Sequence, residues 1–211
     1  MKTYPIMLNL EGRQAVVVGG GTVGMRKAKA LAAAGAEVTL VTGHEPSAIV
    51  EEVKGVVVFP NSYAPELLSS AHVVMACTDD PETNSRVASD ARRAGALVNV
   101  ADQPSDCDFI LPAVYREGPI TIAVGTNGMS PSLAGRLRDI LAESLPEEVG
   151  QFTELIGRIR QRIQDQISDA HVRGNLMKRL ATKETHDLFR TGGDVPVLEL
   201  AEKLIAATKS R

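Results

Sequence analysis

Two cysteines in 211 residues, no surplus of positive charge and no long apolar run set the first limits on this chain. Cys77 and Cys107 stand thirty positions apart, which makes neither a metal knuckle nor a disulfide framework, so a reducing cytoplasm is the expected compartment. The 23 basic side chains against 26 acidic ones leave a net charge of −3, which supplies no basic field to hold nucleic acid. No apolar stretch nears the roughly 20 residues that span a bilayer. The amino terminus, MKTYPIMLNLEGR, also lacks the apolar core and small-residue cleavage site of an export signal. Neither nucleic acid nor a membrane is therefore an expected partner. The rest of the composition is ordinary: 44% apolar and 23% charged residues, with 18 Gly and 11 Pro, enough for one main core and a smaller extension.

The apolar residues fall into short β-branched runs separated by helical stretches. Gln14-Ala-Val-Val-Val18 breaks into glycines, Met25 to Ala34 repeats Ala and Leu with helical character, Gly35 stops it, and Glu37-Val-Thr-Leu-Val41 follows. This has the length of a βαβ crossover. Val56–Phe59, Val73–Ala76 and Leu97–Val100 predict further strands, with a helix over 82–94. Because these runs are continuous rather than alternating, they predict a parallel sheet buried on both faces. After Cys107 the pattern changes. Phe109 to Val114 and Ile120 to Val124 flank Arg116-Glu-Gly-Pro119 and predict a hairpin, and from Ser130 the chain reads as helical, with a break near Pro146 and a turn at Thr191-Gly-Gly-Asp194. The expected architecture is α/β: a Rossmann-type parallel sheet over 1–113, a hairpin-plus-helix module over 114–147 and a C-terminal helical domain over 148–211.

Gly19-Gly-Gly21-Thr-Val-Gly24 matches G-x-G-x-x-G directly after a strand and at a helix start. Glycines there let the backbone approach a pyrophosphate, whose charge the free amides and the positive helix end stabilise. Gly19 and Gly21 are thus candidate dinucleotide contacts; the bland reading is a glycine turn with no ligand. No acidic residue closes the second strand to bind the ribose hydroxyls, so that role falls to Thr42, the backbone at Gly43 and His44, or Glu45. The lack of an arginine just past the strand favours NAD over NADP.

Two aspartate-bearing turns follow strands of the same sheet. Thr78-Asp-Asp80 precedes Pro81, where Thr78 is a candidate for the nicotinamide side and Asp80 for a helix cap. The stretch NVADQPSDCDFILPA, residues 99–113, carries Asp102, Asp106 and Asp108 around Cys107, with no histidine nearby. Asp102 sits past a strand end, where open α/β sheets bind ligands, and on spacing alone it reads as a turn residue capping amides ahead of Pro104. Asp106 and Asp108 read as turn or solvated residues and Cys107 as structural, since one thiol beside carboxylates does not complete a metal site.

Taken together, residues 4–41, ACTDDPETN (76–84), VNVADQPSDCDFILPA (98–113) and MSPSLAGRLRDILAESLP (129–146) resemble the precorrin-2 dehydrogenase family, the dehydrogenase/ferrochelatase module of siroheme synthases. The combination of G-G-G-x-V-x-x-R-K, T-D-D and N-V-x-D-x-P-x-x-C-x-F carries the resemblance. It implies NAD-dependent oxidation of precorrin-2 to sirohydrochlorin and, in some members, insertion of ferrous iron to give siroheme. It also implies a homodimer formed through 114–147, a catalytic aspartate at Asp102, and dinucleotide contacts at Thr22, Val23, Gly43 and His44. Where some relatives carry S-S-G-G, this chain has Gly125-Thr-Asn-Gly128, and Thr126 keeps a hydroxyl at a substrate-facing position. Thr126, Ser130 and Arg136 are candidate substrate contacts, with Arg138 and Arg116 as further cations for a tetrapyrrole rich in carboxylates. Competing readings are a non-catalytic NAD-sensing module, against which the Asp102 motif speaks, and a different NAD-dependent oxidoreductase, disfavoured by the lack of a Lys-Asp or His-based catalytic set.

Overall fold

The computed structural model describes residues 2–43 and 53–209. Its chain divides into two compact units, one running to Leu111 with Asn127–Met129, the other comprising Pro112–Thr126 and everything from Ser130.

The first unit is built on five parallel strands: β1 (Gln14–Val18), β2 (Glu37–Val41), β3 (Val56–Phe59), β4 (Val73–Ala76) and β5 (Leu97–Val100). Their order is β3-β2-β1-β4-β5, so the winding reverses beside β1, between β2 and β4, and a crevice opens there at the carboxyl ends. In-register pairing sets Val18 against both Val41 and Ala76, which brings three strand ends to one level. Helices α1 (Thr22–Ala33) and α2 (Pro81–Arg93) supply the crossovers. Every residue of β4 is buried, as the continuous apolar run predicts for a strand covered on both faces. On one face Val16, Val18, Val74 and Val98 pack with Val87, Ala88 and Ala91 of α2. On the other, Ala15, Val17, Leu40 and Met75 pack with Ala28 and Leu31 of α1.

The second unit contains a hairpin, β6 (Ala113–Glu117) and β7 (Ile120–Val124), and helices α3 (Pro131–Glu143), α4 (Val149–Gln166), α5 (Ala170–Leu180), α6 (Lys183–Gly192) and α7 (Asp194–Lys209). Leu155, Ile159 and Ile163 of α4 form a core with Leu176 and Leu180 of α5, Phe189 of α6, and Val197 and Ala201 of α7. The hairpin is offset from the sequence expectation. Its first strand begins at Ala113, not Phe109, and Arg116 and Glu117 belong to the strand, leaving only Gly118-Pro119 as the turn. Two facts account for the shift: the Phe109 carbonyl is already engaged by Asn99 of β5, and Pro112 has no amide to donate to a ladder.

Candidate active site

At the carboxyl edge of the sheet, β1 runs into Gly19 and the chain turns into α1. A Cβ on Gly24 would collide with the Gly19 carbonyl oxygen, so this close approach of helix to turn requires glycine. Gly21, the residue before the helix, has open space where a side chain would stand. It provides no side-chain cap, and the first turn of α1 holds no acid. Helices α2, α3, α5 and α6, by contrast, are each capped by a side-chain oxygen. Met25 N donates to the Gly21 carbonyl at 2.9 Å as the first bond of the helix, so the amides of Thr22, Val23 and Gly24 ahead of it have no partner within the helix. Open space over Gly21 and an uncapped positive helix end suit the pyrophosphate of a dinucleotide. Thr22 and Val23 are exposed at this turn and Gly43 is exposed past β2, while His44 and Glu45 lie outside the described residues.

The turn after β4 is closed by its own hydrogen bonds. Asn84, buried on α2, accepts from Thr78 N at 3.0 Å and Thr78 Oγ1 at 2.8 Å, and donates to the Thr78 carbonyl at 2.9 Å. Asp80 accepts from the amides of Glu82 and Thr83 and from the Thr83 hydroxyl. The Thr83 donors, with the Glu82 amide, hold the Asp80 carboxyl below its ordinary value. The cap expected at Asp80 is thus present, and the Thr78 side chain is oriented by Asn84.

The segment after β5 makes an excursion and returns. Ala101 N still bonds the Ala76 carbonyl, at 2.8 Å, and Asp102 then takes φ +58°. A single turn over Pro104–Asp106 leads back alongside β5. There Asp108 N donates to the Val98 carbonyl at 2.8 Å and Val98 N to Asp108 Oδ2 at 3.0 Å. Cys107 Sγ takes the Val100 amide at 3.2 Å and lies 3.3 Å from the Val100 carbonyl. The outward-facing backbone groups of this edge strand are therefore satisfied by an aspartate and a thiol. Arg92 of α2 braces the return, bonding Asp108 Oδ1 at 3.1 Å and the Asp106 carbonyl at 2.7 Å. Asp102 is exposed, and its carboxylate, unlike that of Asp108, makes no hydrogen bond or ion pair among the described residues. It does not cap the turn before Pro104, whose first residue lacks any side-chain cap.

Three residues of this edge went unremarked in the sequence: Asn84, Lys27 and Asn99. Lys27 reaches from α1 to Asn99 of β5, Nζ to Oδ1 at 2.7 Å. The Cys77 thiol after β4 is pushed up by burial, and the Lys27 ammonium pulls it only partly back. The signal available was a polar residue inside each apolar pattern, Asn99 in Leu-Val-Asn-Val and Lys27 on the helix side that carries Gly24, Ala28 and Leu31.

In the second unit, Thr126 and Ser130 are brought together. Thr126 Oγ1 lies 3.0 Å from the Ser130 carbonyl and accepts from Ser130 N at 3.1 Å, and Ser130 Oγ caps α3 through Leu133 N. Both hydroxyls thus shape the start of α3. Arg136 and Arg116 are exposed, whereas Arg138 is paired with Asp139.

A putative NAD(P)-binding family model matches residues 6–113, and a sirohaem biosynthesis protein central model matches residues 117–144. A siroheme synthase of Psychrobacter cryohalolentis is 33% identical over 197 residues, covering 92% of this chain and 38% of the relative. One of Nitrosococcus oceani is 38% identical over 175 residues, covering 82% of this chain and 37% of the relative. The chain thus spans well under half the length of these curated relatives. Among solved structures, SirC, a precorrin-2 dehydrogenase, superposes with a TM-score of 0.74 at 25% identity, covering 95% of this chain and all of that one, 100%.

Proposed function

This chain belongs to the putative NAD(P)-binding family, continued here by a sirohaem-biosynthesis central segment, and from that membership we propose that it oxidises precorrin-2 to sirohydrochlorin with NAD. The observation that carries the reading is Asp102: an unpartnered carboxylate at the same sheet edge as an uncapped glycine turn. The reaction removes a hydride and a proton from carbon and nitrogen centres of the tetrapyrrole. NAD, when bound, would supply the acceptor for the hydride.

The chain's own residues perform the rest. The amides of Thr22 and Val23, with the glycine backbone at Gly19 and Gly21, hold the pyrophosphate. Gly43 would meet the adenosine ribose, and the turn fixed by Asn84 would present Thr78 to the nicotinamide. Asp102 accepts the proton: with no hydrogen bond to give up, its oxygens are available to the substrate, and exposure rather than burial makes placement the source of its effectiveness. Arg136, with Thr126 and Ser130, serves the substrate's carboxylates and polar edge. The resemblance to siroheme synthases extends the proposal to ferrous iron as a second substrate, inserted into sirohydrochlorin with the tetrapyrrole supplying four nitrogens.

The working form in this reading is a homodimer. On α3, Leu133, Leu137, Ile140 and Leu141 recur at helical spacing on one side and remain 39–51% exposed, an apolar stripe suited to a second copy of the chain. Leu137→Glu with Leu141→Glu is expected to turn a dimer into a monomer by light scattering; unchanged mass would remove this face from the interface. Among the described residues no helix is long and apolar enough to cross a membrane.

The test of the activity is anaerobic: precorrin-2 and NAD with the folded protein, read by NADH formation and the sirohydrochlorin spectrum. Absence of both, with NAD binding intact, would end the dehydrogenase reading. Ferrous ion added to sirohydrochlorin with and without the protein tests iron insertion.

A further inference from the structure

Lys27 occupies a position where an apolar residue would be expected. Helix α1 meets the sheet through Gly24, Ala28 and Leu31, and its neighbours there are Val17, Met75 and Phe109. Placing a partly buried ammonium against that face is costly unless its hydrogen bonds are met. The bond the structure gives it is to a neutral partner, Asn99 Oδ1 at 2.7 Å, and no carboxylate pairs with it among the described residues.

Asn99 passes the contact on. It is buried on β5, and its amide nitrogen donates to the Phe109 carbonyl at 2.9 Å and approaches Cys107 Sγ at 3.5 Å. Phe109 and Cys107 form the returning limb of the excursion that has Asp102 on its outgoing limb. A continuous set of bonds therefore runs from the dinucleotide helix, through Lys27 and Asn99, to the base of the Asp102 turn. Support for that turn matters because Asp102 holds a left-handed backbone, a conformation that costs energy for a residue with a Cβ, though less for Asp than for most.

We propose that Lys27 is a positioning residue for the oxidation: through Asn99 it fixes the Asp102 turn relative to the helix that receives the dinucleotide. The inference rests on the dehydrogenase reading for its kinetic consequence but not for its structural one, and the experiment separates the two. Two variants are made: Lys27→Met with Asn99→Leu breaks the whole tie, including the Asn99 bond to the Phe109 carbonyl, and Lys27→Met alone, its companion, removes only the ammonium and is expected to show the same changes in smaller measure. In the double variant without ligand, amide hydrogen exchange at residues 101–106 is expected to quicken about tenfold or more, with β1 and α2 unchanged. With substrates, kcat is expected to fall about tenfold or more while the NAD dissociation constant and the KM for NAD stay within about threefold, since the displaced group is the proton acceptor and not the cradle. A folded double variant with wild-type exchange at 101–106 overturns the proposal, and so does faster exchange with unchanged kcat. Should the wild type show no turnover while the exchange result appears, the dehydrogenase reading fails and the structural tie stands.

Discussion

Asp80 and Asp102 follow adjacent strands, β4 and β5, and leave the sheet at the same edge. Asp80 is wholly committed to local structure, taking two amides and a hydroxyl at the start of α2. Asp102 makes no such bond and sits in a backbone conformation that disfavours most side chains. One carboxylate stabilises the fold and the other is held by it. The difference shows why an acidic residue near a ligand edge is not by itself a catalytic candidate: what distinguishes Asp102 is that its oxygens are unengaged while its main chain is constrained.

The largest expected effect tests Asp102. Asn tolerates the left-handed region, so Asp102→Asn should fold and bind NAD as wild type while turnover drops about 100-fold or more. Steady-state kinetics beside a thermal melt measures both, and an active Asp102→Asn would dissolve the contrast. Asp102→Gly sharpens it: relieving the backbone should leave Tm equal or higher, with turnover equally lost. Next comes Asp108, which closes β5. Asp108→Ala keeps the main-chain bond to the Val98 carbonyl but leaves the Val98 amide without its carboxylate partner and Arg92 without its ion pair, at about 1–3 kcal/mol, which lowers Tm by several degrees and slows turnover only as far as the Asp102 turn loosens. The smallest effect belongs to Asp80→Ala: a Tm lower by about 2–4 °C, with turnover per folded molecule within about twofold of wild type.

The Asp80 difference should also depend on pH in a defined direction. Its carboxyl titrates below the ordinary value in the fold, so its stabilising contribution is complete above about pH 4 and disappears as pH falls through the lowered value. The gap in Tm between wild type and Asp80→Ala is therefore expected to close on acidification below about pH 4. A gap that widens there would mean that the cap works through something other than its charge.

Elements made of local pattern were readable in the sequence. β1 to β5 are continuous apolar runs, and the order of runs and glycines was enough to place a parallel sheet and its ligand edge. Asp80 was recognisable as a cap from the following Pro81. What escaped was long range. Lys27 and Asn99 are 72 positions apart, and neither residue type announces the other. The same network moved the hairpin: Phe109 continues an apolar run toward Val114, yet its carbonyl is captured by Asn99, and the strand waits until Ala113. Asp108 looked like a solvated turn residue because the groups it serves, the amide and carbonyl of Val98, carry no sequence signature.

The closure of β5 has a further consequence for association between molecules. A parallel sheet of this winding order commonly continues to a sixth strand, and an open fifth strand is a template for any extended chain that collides with it. Here the growing edge is sealed by Asp108 and Cys107, so neither a sixth strand nor a stray chain finds free donors and acceptors at Val98 and Val100. Five strands are thus an end point on that side: the sheet is protected from edge-to-edge polymerisation by the two side chains of Asp108 and Cys107 and the Asp108 amide rather than by another layer of structure.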